Sequence, residues 1–219
     1  MSAAALHQQF APLLGGHLTW QVLPEPELLP SGVPGIDLPR GCLTEITGPA
    51  SSGRTSLLLS ILARATAREE VCALIDAEDA FSPHSAAEAG VELSRLLWVR
   101  CGHSAENALK VTDLLIQGGG FGVVAMDLGD TDPRMARRIS LTSWFRLRRA
   151  VEHTPTVLVA VARQPNAKTC ASLVLECGRA CDTWSGTRAV SRLLRGVDVR
   201  ARFTKRRIEC SPVYTAKAI

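Results

Sequence analysis

The chain has 219 residues, 46% of them hydrophobic and 21% charged, with a formal net charge of +4. That balance suits one globular domain with a substantial core, and it excludes a disordered chain. No apolar run reaches membrane-spanning length and the N-terminus lacks a basic region followed by an apolar core, so a cytoplasmic protein without a membrane partner is expected.

Mild basicity alone does not establish a nucleic-acid partner. Lysine stands only at Lys110, Lys168, Lys205 and Lys217, while arginine is abundant and clusters after residue 134. Arginine suits phosphate and carboxylate partners, and coding bias in a GC-rich genome gives the same imbalance. The seven cysteines are scattered. Cys177 and Cys181 have no second pair at zinc-ligand spacing beside them, so reduced structural thiols are expected.

In chain order, Leu6, Phe10, Leu13 and Leu14 stand at helical spacing and predict an amphipathic helix that packs on the domain or on another protein. Pro24, Pro26, Pro30 and Pro34 predict an extended connector. The expected division is residues 1–28 as helix and connector, 29–210 as the core, and 211–219 as a short tail. Residues 32–41 read as a turn leading into a buried strand over 42–46. The next stretch is Gly48, Pro49, Ala50, Ser51, Ser52, Gly53, Arg54, Thr55 and Ser56, followed by the apolar helix Leu57-Leu58-Leu59-Ser60-Ile61-Leu62. Strand, glycine-framed loop and helix make a phosphate cradle: glycines let successive N–H groups turn inward, and the helix points its positive end at the same place. The P-loop pattern asks for lysine where Arg54 stands. Arginine keeps the charge but is longer, planar and forked. Nucleotide binding is therefore expected to be more secure than hydrolysis, with at most weak ATPase activity. Thr55 is the expected Mg2+ ligand.

A second buried strand, 71–75, ends in Asp76-Ala77-Glu78-Asp79. Acidic residues at the carboxyl end of a parallel strand stand where open α/β sheets place ligands. Residues 82–89 predict a helix, 96–99 a strand, and 105–117 an amphipathic helix with Ala108, Val111, Leu114 and Leu115 on its apolar side. The strand 121–126 runs into Asp127, in the manner of a Walker B carboxylate that holds Mg2+. Residues 134–152 predict one long helix with Met135, Ile139, Leu147 and Val151 inward. Arg137, Arg138, Arg146, Arg148 and Arg149 lie outward, either solvated or facing an acidic partner or phosphates. A strand over 156–162 ends at Arg163-Gln164. Strands 173–176 and 197–203 close the sheet in antiparallel fashion, with 180–194 as an inserted loop or short helix. The predicted fold is α/β, a mostly parallel central sheet flanked by helices, with antiparallel strands at the C-terminal end.

The residues carry a resemblance. Leu29-Pro30-Ser31-Gly32 with Gly35-Ile36-Asp37, the run from Gly41 to Thr55, and Ala73-Leu74-Ile75-Asp76-Ala77-Glu78-Asp79-Ala80-Phe81-Ser82-Pro83 resemble the opening of the RecA core, well over residues 29–130 and loosely beyond. The resemblance implies a RecA-like P-loop NTPase core that takes ATP and Mg2+. Residue by residue, it implies Glu78 as the acid that activates water and Asp127 as the Walker B aspartate. Gln164 matches the nucleotide-sensing glutamine in a register that Arg163 contests. Lys205 and Arg207 match the basic pair that reaches a neighbouring subunit's nucleotide, so an oligomer through the RecA-type subunit surface is open. The chain departs from the family at residues 128–133, too short for the first DNA loop. No long glycine-rich segment follows Gln164, and the chain ends soon after Arg207. DNA binding is expected to be weakened. A core with cropped DNA loops is similar to the ImuA-type accessory proteins of bacterial inducible mutagenesis. That similarity implies a DNA-damage (SOS) role by contact with RecA and/or the error-prone translesion polymerase proteins. The competing readings are a DNA-dependent ATPase of recombinational repair, kept open by Glu78 and Asp127, and an unrelated P-loop enzyme such as a small-molecule kinase, which lacks a recognisable acceptor site or lid.

Overall fold

The computed structural model describes residues 27–186, 192–204 and 213–217. The expected N-terminal helix, Pro24 and Pro26, and Lys205 and Arg207 lie outside the described residues.

Strand β7 (Val157–Ala162) shows why the centre folds as it does. All six of its residues are buried, the signature of a parallel strand covered on both faces. Val157, Val159 and Val161 pack into one core cluster, and Leu158, Ala160 and Ala162 into the other. Around it lie β3 (Cys42–Thr47), β4 (Cys72–Asp76), β5 (Leu96–Arg100), β6 (Val123–Asp127), β8 (Leu173–Ser185), β9 (Leu193–Phe203) and β10 (Val213–Lys217), in the order β10-β9-β8-β3-β7-β6-β4-β5. From β8 to β5 the neighbours are parallel, and β9 and β10 join antiparallel. Helix α1 (Arg54–Thr66) covers one face through Leu57, Leu58, Ile61 and Leu62, beside α2 (Pro83–Glu88). Helices α3 (Ala105–Gly118) and α5 (Leu141–Val151) cover the other with Ala108, Ile116, Trp144 and Leu147. This is the α/β architecture expected, a mostly parallel sheet with antiparallel strands at the C-terminal end.

Several expectations are corrected. The proline segment is no plain connector: β1 (Leu28–Pro30) and β2 (Asp37–Pro39) form a small antiparallel hairpin that buries Leu29, Ile36 and Leu38. The buried stripe of α3 is Ala105, Ala108, Thr112 and Ile116, while Leu114 is exposed. Thr112 is tolerated inside because its hydroxyl donates to the Ala108 carbonyl at 2.7 Å. The long arginine helix is two, α4 (Pro133–Ala136) and α5, with Met135 exposed. Ser140 accepts from the Ser143 N–H at 3.1 Å and starts α5 afresh as an N-cap. Strand β8 runs parallel to β3, not antiparallel. The expected insertion is instead hairpin: positions 181–185 pair with 193–198 across two register shifts. Residues 213–217, expected within a tail, add the edge strand β10.

Trp144 is 1% exposed at the centre of the α5 face. Trp144→Ala is expected to lower unfolding free energy by about 3–5 kcal/mol in urea titration, with the denaturant slope unchanged.

Candidate functional site

Register brings the loops together. Asp76 stands opposite both Asp127 and Arg100, Asp127 opposite Val161, and Thr47 opposite Ala162. The connections after β3, β4, β6 and β7 therefore leave from one edge of the sheet, where α/β proteins hold ligands.

There the chain from Gly48 to Ser56 bends round an open cleft of about 510 Å3, lined by residues 50–56 with Asp130, Arg179, Leu194, Val197 and Val199. Glycine is needed at two places. A Cβ on Gly53 (φ +87°) would stand 2.3 Å from Val199 Cγ2, and one on Gly48 would stand 2.5 Å from the Cys177 carbonyl. The β8–β9 hairpin thus packs directly on the loop. Ser51 adopts φ +60°, and the Ser52 N–H donates to the Pro49 carbonyl at 3.2 Å. Among the described residues the Ser52 hydroxyl is buried without a partner, Thr55 is exposed, and no side chain caps α1. A loop of this shape at a bare helix N-terminus fits a phosphate group.

Arg54 does something else. Its side chain is 6% exposed. Nη1 donates to the Gly48 carbonyl at 2.6 Å, and Nη2 donates to the Gly129 carbonyl at 2.6 Å and to Asp130 Oδ1 at 3.1 Å. The guanidinium ties the loop after β3 to the loop after β6.

Asp127 lies beside it, accepting from the Gly129 N–H at 2.7 Å. Burial pushes its carboxyl up to about 6, with Asp76 and Asp130 adding to the rise and the Gly129 bond and Arg54 opposing it. Oxygen donors such as Asp127 and the Thr55 hydroxyl suit Mg2+, and the Arg54 cation next to Asp127 competes with a metal there. Among the described residues no cluster of three or more His, Cys, Asp or Glu forms a metal site by itself.

Glu78 stands at the same edge. Its Oε1 accepts from the Thr131 hydroxyl at 2.8 Å, and its Oε2 lies 3.1 Å from His103 Nδ1. Asp76 holds the turn that presents it, accepting from the N–H groups of Glu78, Ala80 and Phe81 and from the Trp98 indole at 2.9–3.3 Å. Gln164 is exposed, and its Oε1 accepts from Arg137. Its neighbour Arg163 donates to the Gly129 carbonyl at 3.2 Å. Sequence reading missed Asp130, Thr131, His103 and Arg179. The polar run Gly129-Asp130-Thr131-Asp132 after the Walker B position was the available signal for the first two; Arg179 and His103 had none.

Since folding raises the Asp127 proton affinity, the native protein binds that proton more tightly than the unfolded chain. The contribution of Asp127 to stability therefore falls as pH rises from about 4 to above about 6. Without magnesium, Asp127→Asn, which still accepts the Gly129 bond, is expected to stabilise the protein. The gain is about 3 kcal/mol at pH 8 and shrinks to about half of that at pH 5, read by urea unfolding at both.

Residues 29–131 match the RecA N-terminal domain. The chain is 32% identical over 158 residues to protein RecA of Rhizobium leguminosarum bv. viciae, a match covering 63% of this chain and 45% of that protein. It is 33% identical over 156 residues to protein RecA of Chloroflexus aurantiacus, covering 62% and 44%. It thus spans less than half the length of these relatives. In structure it resembles the RadB recombinase, with a TM-score of 0.60 and 17% identity, over 87% of this chain and 96% of that one. Over residues 29–131 the core of this chain is similar to the RecA N-terminal domain, and its fold is that of the RadB structure.

Proposed function

We propose that this is a RecA-like accessory or regulatory protein of the bacterial DNA-damage response. In this reading it works in the cytoplasm through contacts with RecA and/or translesion polymerases, and it keeps an ATP cleft with at most weak turnover. The observation that carries the reading is the burial of Arg54 against the Gly48 and Gly129 carbonyls. A P-loop cation serves catalysis by following charge onto the transferred phosphate. This one is committed to the protein's own carbonyls and lies beside the carboxylate a metal would use. Binding draws on the backbone cradle, Ser52 and Thr55, all of which remain. The short connections at 128–132 and 163–172 support weakened DNA contact and, with it, action through protein partners.

One arrangement favours a second reading, a DNA-dependent ATPase of recombinational repair. Glu78 is oriented by Thr131 and His103 at the cleft edge, as a residue that activates water must be.

Steady-state phosphate release, with and without single-stranded DNA, separates the two. The expected result is little turnover and no stimulation by DNA. Strong DNA-stimulated turnover abolished by Glu78→Gln would establish the ATPase instead. Pull-down against purified RecA and the error-prone polymerase proteins is expected to retain at least one of them, and retention of none removes the accessory role.

A further inference from the structure

The cleft contains a second arginine with its donors directed differently from those of Arg54. Arg179 on β8 pairs directly with Val199 on β9, and Val199 is the side chain that crowds Gly53 at the start of α1. Arg179 therefore stands over the N-terminus of that helix and lines the cleft with residues 50–56. Its Nε donates to Asp182 on the same strand, and it is exposed. Among the described residues neither Nη nitrogen has a hydrogen-bond partner. A guanidinium oriented through Nε presents its two Nη groups as a planar fork, the geometry that matches phosphate oxygens. The floor beneath it holds the Ser52 hydroxyl, on a residue 1% exposed and without a partner among the described residues. Leu194, Val197 and Val199 add an apolar wall. Asp130 also lines the cleft, and its charge is offset by Arg54 at 3.1 Å.

We propose that Arg179 grips the phosphate chain of a nucleoside polyphosphate seated on the loop, in the role that the burial of Arg54 leaves open. Asp182 is the positioning residue that aims the guanidinium. The proposal rests on the nucleotide cleft of the preceding reading and adds to it the residue on which affinity depends. The grip comes from a hairpin whose own fold presses it onto the cradle, so it acts within one chain.

The test is calorimetric titration of the full chain with ATP, inorganic triphosphate and adenosine. Arg179→Gln is expected to weaken ATP and triphosphate binding alike by about tenfold, the loss of one charge-assisted contact, with the melting temperature unchanged. Arg179→Lys is expected to fall between the two, Asp182→Asn to bind like the wild type, and Asp182→Ala to lose part of the affinity. If the wild type binds ATP and Arg179→Gln binds it equally well, the Arg179 assignment is overturned and the nucleotide cleft stands. Loss of ATP affinity without loss of triphosphate affinity also overturns it, because the contact would then be to the nucleoside. If the wild type binds neither ATP nor triphosphate, the nucleotide reading itself fails and takes this proposal with it.

Discussion

One guanidinium joins the two loops on which this edge of the sheet depends. Arg54 leaves the first turn of α1, runs under the cradle, and holds the carbonyls of Gly48 and Gly129 at 2.6 Å each. Buried carbonyls left unpaired are destabilising by about 1–3 kcal/mol each, so the contact fixes the spacing between the loops after β3 and β6. Glycine at 129 is part of the same arrangement: a Cβ there would lie 2.8 Å from Asp127 Oδ1 and 2.9 Å from Arg54 Nε. Arginine, carboxylate and glycine occupy one small volume, and no larger residue fits at 129 without moving the other two.

The opposite wall has a different origin. Strand β8 continues well past the point where its parallel pairing with β3 ends, and β9 returns beside it. Two register shifts bend the hairpin, and such irregularities increase local twist. The parallel pairing of Thr47 with Glu176 brings the Cys177 carbonyl against Gly48, and β9, paired through Val199 with Arg179, brings Val199 onto Gly53. The cleft is thus bounded by a sheet extension and a P-loop that touch each other, and the glycines of the motif serve hairpin packing as much as the approach of a phosphate.

These two features differ in how far the sequence disclosed them. The parallel strands were legible because burial on both faces writes itself as continuous apolar runs, as in Val157-Leu158-Val159-Ala160-Val161. Gly48, Gly53, Glu78 and Asp127 were legible as strand-end punctuation, and the structure does bring them to one edge. The hairpin was not: Cys177-Gly178-Arg179-Ala180-Cys181-Asp182 has neither alternation nor a turn signal, because that stretch packs unevenly on the cradle and on solvent. The break at Ser140 was hidden for another reason. The arginine-rich run keeps a helical period across it, and a single cap hydrogen bond decides against one continuous helix. Arg54 could be read as a substitution but not as a bridge, since its partners are carbonyl groups, which leave no trace in side-chain identity.

That last point bears on how the cleft divides its work. Placing positive charge at a phosphate in the ground state and following charge as it shifts between oxygens are separate demands, and a side chain already holding two carbonyls satisfies neither without breaking a buried contact. The carboxylate that would bring a metal is itself drawn towards its neutral form by burial and by Asp76 and Asp130, which weakens the second source of mobile positive charge. What remains intact is geometric: inward-turned backbone, a bare helix terminus, an unpartnered hydroxyl and a forked cation on the facing wall. In the proposed reading such a set favours holding a polyanion over cleaving it, because the loop and the hydroxyl are fixed by packing, the forked cation is aimed by Asp182, and none of them follows charge as it shifts between oxygens.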